Sequence, residues 1–240
     1  NSALSSSSSS NGARGGTGGY FAVYDGHGGA QAAEYVEAHL FDRICAHPLY
    51  QADLARAVSE SCLAVDRDFL AECDRRRIYC GTTVLGAFIT EGNRLLVFNL
   101  GDCQAVLGTK PPLYDSEQHE QHEQEPPQQQ QQQATVAVEL SDPHKPGRRD
   151  ELERVRAAGG WVTEEKELYM DRLHRMDLSD PVVRDKAHQV TWVTIHRVCG
   201  EISVSRSIGD PDYKRFVPGE PVSAFFCWPE GHDQVGRYLR

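Results

Sequence analysis

The residues best suited to chemistry stand together, where Asp25, Gly26, His27, Gly28 and Gly29 follow directly on the apolar run 20–24. A strand built from that run (Tyr-Phe-Ala-Val-Tyr) would deliver Asp25 to its C-terminal end. Gly26 lets the backbone approach a ligand closely. Its carbonyl beside a carboxylate gives oxygen donors of the kind a hard cation such as Mg²⁺ or Mn²⁺ prefers. His27 carries a side chain able to transfer protons near neutral pH. A plainer reading is a strand-to-helix turn with Asp25 as a cap, and spacing alone leaves both readings open.

The elements that must hold this segment follow from periodicity. Beyond Gly28 the pattern turns helical, with Ala32, Ala33, Val36, Leu40 and Ile44 recurring on one face. A second helix is expected over 52–77, burying Leu54, Val58, Cys62, Val65, Phe69 and Leu70. Runs at 82–90, 94–99 and 103–107, separated by Gly, Asn and Asp, read as three strands of an antiparallel meander. A further strand is expected at 135–140, and a helix at 149–158 closed by Gly159 and Gly160. Residues 190–198 and 201–206 read as a hairpin turned at Cys199 and Gly200. Strands interrupted by a few helices indicate an α+β fold with an antiparallel core.

Three stretches lie outside that scheme. Residues 1–18, rich in Ser and Gly, read as a flexible leader, and 19–240 as the folded domain. Residues 109–133 form a polar insertion holding the run Gln128 to Gln133. Its His119 and His122 have a spacing that could hold a metal weakly, although a solvated loop is the simpler account. Residues 164–189, charged and aperiodic, read as a second insertion.

Composition bounds the function. Of 240 residues 39% are hydrophobic and 25% charged, which suits a globular domain. A formal net charge of -10 argues against a nucleic-acid binder, whose affinity rests on Lys and Arg. No run approaches the ~18 apolar residues of a membrane span, and the N-terminal stretch lacks the apolar core of a signal peptide. The seven cysteines show no CxxC or zinc spacing, so reduced thiols in the cytoplasm or nucleus are expected. Cys80 and Cys103, beside strand-like runs, read as small buried hydrophobes.

Four segments in order resemble the PPM (type 2C) metal-dependent protein serine/threonine phosphatases. They are Asp25-Gly26-His27-Gly28-Gly29, Gly81-Thr82-Thr83 with 95–107, His144-Lys145-Pro146 with 151–160, and 197–210 ending in Gly209-Asp210. The resemblance implies two antiparallel β-sheets in a sandwich flanked by helices. It also implies a two-metal site holding Mg²⁺ or Mn²⁺, phosphorylated protein substrates and a monomer. By position, Asp25 would bridge two ions, Gly26 would offer its carbonyl, and His27 would protonate the leaving oxygen. Asp102 and Asp210 would form turns, and Arg206 would be a buried hydrogen-bonding residue.

Departures from the family pattern are equally specific. No Asp or Glu precedes Asp25, and the family's two later aspartates find no match after Asp210. Pro143 stands where an aspartate is usual, leaving Asp142, one residue off, as a weaker metal candidate. The reading favoured here is a domain incomplete at both ends within an active phosphatase. Its rivals are a pseudophosphatase acting as a protein-binding module and a cation sensor built on Asp25 alone, for which one carboxylate is too few.

Overall fold

A computed structural model describes residues 18–90, 94–109, 135–168, 177, 179–182 and 192–214. Most of the expected leader, His119, His122 and Cys227 therefore lie outside the described residues.

Strand β1 (Gly19–Val23) alternates: Tyr20 and Ala22 are buried while Phe21 is half exposed. Although the run is apolar throughout, β1 packs on one face only. After the two-residue β2 (Gly26–His27), helix α1 (Gln31–Cys45) buries the five expected positions. Helix α2 (Leu54–Arg76) starts where the Asp53 carboxylate accepts the Arg56 N–H at 3.0 Å. It stops at Arg77, which takes a left-handed conformation.

Short β3 (Gly81–Thr82) precedes β4 (Val84–Thr90) and β5 (Arg94–Leu100). One antiparallel sheet has the order β1-β4-β5, and its inner face meets α1 and α2 in a single core. Tyr20 anchors that core, stacking on Phe41 at 4.8 Å and meeting Phe88 at 4.7 Å.

The meander does not continue. Strand β6 (Val106–Thr109) pairs with β7 (Val136–Glu139) instead of β5, so the polar segment between them joins two neighbouring strands. A further correction concerns 164–189. Residues 164–168 belong to β8 (Val162–Leu168), which follows α3 (Arg149–Ala157) and pairs along its length with β9 (Trp192–Val198). Arg197 reaches Glu165 at 3.2 Å and Glu167 at 2.5 Å across that pair. Charges, rather than alternating apolar residues, mark this strand. In the third correction, 201–206 forms no partner strand for β9, only one bridge from Ile202 to Val198.

The chain then enters β10 (Ile208–Gly209) and a single helical turn, α4 (Pro211–Lys214). β10 joins a second small sheet of order β10-β3-β2. Every pairing among the described residues is antiparallel, as the α+β reading expected.

Candidate active site

The small sheet brings distant residues together. Its central residue Gly81 lies opposite His27 on one side and Gly209 on the other. Asp210 follows Gly209, and its carboxylate reaches His27 Nε2 at 2.8 Å through Oδ1 and 2.7 Å through Oδ2. Asp210 is buried, whereas the His27 side chain is 33% exposed, so the pair sits at the edge of the core. The sequence reading of Asp210 as a turn former was incomplete. It does turn the chain, at φ 52, and it also holds the histidine.

Gly81 is required by this contact, because a Cβ there would lie on the Asp210 carboxylate. Gly28 is required by its backbone. Its φ is +69, and a Cβ would come within 2.8 Å of the Tyr79 carbonyl.

Asp25 is fixed through its backbone, not by helix capping. Its carbonyl accepts the Thr83 N–H at 3.0 Å, and its N–H donates to Thr83 Oγ1 at 3.3 Å. Thr83 Oγ1 also lies 3.2 Å from Cys103 Sγ. Burial alone would lower the basicity of His27. The hydrogen bond and charge of Asp210, with the charges of Asp25 and Asp102, outweigh it and raise the imidazole pKa above its ordinary value.

The His-Lys-Pro segment and Arg206 support the site from behind. His144 is buried, and burial, reinforced by the Arg206 charge, pushes its pKa down to about 3. The neutral ring places Nδ1 3.2 Å from the Gly101 N–H, next to Asp102. Glu151 on α3 is fully buried and accepts hydrogen bonds from Arg206 Nε at 3.0 Å, Arg154 Nη2 at 2.6 Å and Ser205 Oγ at 2.6 Å. Burial would raise the Glu151 pKa, but the two arginines hold it well below the usual carboxylate range. Arg206 is thus a buried hydrogen-bonding residue, as the sequence suggested, and its partner is Glu151.

Among the described residues no three His, Cys, Asp or Glu side chains gather into a group able to hold a metal ion. Asp25 and Gly26 offer hard oxygen donors, so the set is of the right kind but does not amount to a complete centre. Asp142 is mostly exposed, with Oδ2 3.3 Å from Arg148 Nη1. No described helix is long and apolar enough to cross a membrane.

A family model described as Protein phosphatase 2C matches residues 2–179. Protein phosphatase 1E of Mus musculus is 32% identical over 205 residues, covering 85% of this chain and 20% of that protein. Probable protein phosphatase 2C 55 of Oryza sativa subsp. japonica is 33% identical over 201 residues, covering 84% and 39% respectively. The chain thus spans between a fifth and two fifths of these relatives' lengths. In fold it is similar to the crystal structure of serine-threonine phosphatase 2C from Toxoplasma gondii. The TM-score is 0.57 at 18% identity, over 93% of this chain and 64% of that one. A C. elegans sex determining protein gives a TM-score of 0.53 at 17% identity, over 92% and 40%. With most of its length matched by the family model, the chain belongs to the protein phosphatase 2C family.

Proposed function

We propose that this protein is a metal-dependent protein serine/threonine phosphatase acting on phosphorylated proteins. In this reading its proton donor is His27, and Asp25 is one carboxylate of its metal site. The observation that carries the reading is the junction of β1 and β2, where the Asp25-Gly26-His27 segment meets the buried Asp210 carboxylate. A histidine held by a carboxylate at the edge of the core can keep a proton and release it to a leaving alkoxide. The resident ions, Mg²⁺ or Mn²⁺, would supply an activated water and neutralise the phosphoryl oxygens when bound. Asp25 and the Gly26 carbonyl are this chain's described donors toward them. Asp142 is the weaker donor, since Arg148 already offsets its charge.

His27 has its own task in this scheme. A serine or threonine alkoxide is a poor leaving group, so protonation at its oxygen lowers the barrier as the phosphorus–oxygen bond breaks. The test is Mn²⁺-dependent phosphate release from a phosphothreonine peptide, run beside Asp25→Ala and an EDTA control. Turnover that disappears in both controls is the expected result. No turnover by the folded wild-type protein with Mn²⁺ present would sink the reading and leave a protein-binding module.

A further inference from the structure

We propose that Asp210 is a positioning residue for His27, its carboxylate engaging Nε2–H so that Nδ1 is the nitrogen that delivers the proton. This rests on the phosphatase reading above and adds a residue, and a choice of nitrogen, to it.

The contact is built rather than incidental. Both carboxylate oxygens lie within 2.8 Å of Nε2, and Nδ1 makes no hydrogen bond among the described residues. Asp210 holds a left-handed backbone at φ 52, a conformation that few residues other than glycine, Asn and Asp adopt. Such a conformation persists only where surrounding contacts fix it. Those contacts are specific. The Asp210 N–H donates to the Cys80 carbonyl at 2.9 Å, Ser207 Oγ donates to Oδ2, and Gly81 leaves the carboxylate its space. The adjoining Gly209 N–H donates to Asp66 at 2.9 Å, tying the turn to α2.

The consequence for the reaction is a defined proton path. With Nε2–H held by an anion, the imidazolium carries its transferable proton on Nδ1. Water oxygen bonds to phosphorus as the phosphorus–oxygen bond to the serine or threonine breaks. The Nδ1 proton passes to the departing oxygen, giving the free alcohol and a neutral ring still bonded through Nε2–H. The proton shed by the attacking water restores the imidazolium, which closes the cycle.

Two substitutions test this in the full chain. Asp210→Asn keeps the volume and tolerates the left-handed backbone but removes the charge. Gly81→Ala keeps Asp210 and drives a methyl group into the space of its carboxylate. In the metal-free protein with ¹⁵N-labelled histidine, the wild type should show His27 Nε2 protonated in a strong hydrogen bond, a signature lost in both variants. Turnover of aryl phosphates supplies a second readout, since acid assistance matters most for poor leaving groups. Each variant should lose about 100-fold on phenyl phosphate and only a few-fold on p-nitrophenyl phosphate.

Equal losses on both substrates would overturn the inference while leaving the phosphatase reading intact. So would a His27 spectrum unchanged by either substitution. Absence of turnover by the wild type would remove the phosphatase reading and the acid role together. Should one variant fail to fold, the other decides alone.

Discussion

Lys214 places its ammonium 2.5 Å from Asp66 Oδ1, joining the turn after β10 to the middle of α2 across 148 residues of sequence. The lysine side chain is fully buried, and it also donates to the Ser207 carbonyl at 3.0 Å. Asp66→Ala would remove the carboxylate that faces that buried cation and free the Gly209 N–H. We expect a loss of about 3–5 kcal/mol in urea unfolding. Lys214→Met, which leaves Asp66 its Gly209 partner, should cost distinctly less. Equal stability of Asp66→Ala and wild type would show that the pair carries no weight.

Glu151 predicts an acid-sensitive core. Its folded pKa lies below the unfolded value, so its contribution is complete above the ordinary carboxylate pKa of about 4.3. That contribution is lost as the pH falls toward the folded value. Glu151→Gln should be less stable than wild type by about 3 kcal/mol at pH 7. The gap should narrow steadily below about pH 4.5. Urea titrations across pH 3–8 check this, and a gap independent of pH would contradict it.

Gly28→Ala combines an unfavourable left-handed backbone with a collision against the Tyr79 carbonyl. Destabilisation of about 2 kcal/mol is expected. Because His27 is adjacent, kcat should fall as well. Chemical unfolding beside turnover measures both, and a neutral variant would mean that the loop rearranges at no cost.

Removing metal should stop turnover without unfolding the protein. The core of β1, β4, β5, α1 and α2 is closed by apolar packing that needs no ion. Far-UV circular dichroism in EDTA should match that of the loaded protein. Mn²⁺ at a hundredfold excess over its Kd should add about 2.7 kcal/mol to stability. Asp25→Ala should lose most of that increment. Collapse of the fold in EDTA would contradict this account.

The legible parts of the sequence were those where one chemical signal repeats locally. The apolar stripe of α1, from Ala32 to Ile44, can be read without a structure because every position faces the same core. The Asp25–His27 segment stood out locally too, since an Asp, a Gly and a His are consecutive there. β8 was not, since Glu164 to Glu167 look like solvated charge until Arg197 is seen reaching Glu165 and Glu167 from β9. The buried run Val204 to Asp210 read partly as a strand, yet Ser205 and Arg206 are held by Glu151, which is remote in sequence. Asp210 lies 183 residues from His27, and no local pattern records such a meeting.

The antiparallel pairing of β6 with β7 has a consequence for how this gene can vary. Val106 faces Glu139 and Thr109 faces Val136, so the register is set on both sides of residues 110–134. Doubling the length of a connection between paired ends adds only about 0.6 kcal/mol to its closure. The glutamine run 128–133 lies within that connection, so a change in its length should alter the closure term little. Alleles differing in repeat number should therefore melt at nearly the same temperature, leaving tract length open to selection on other grounds.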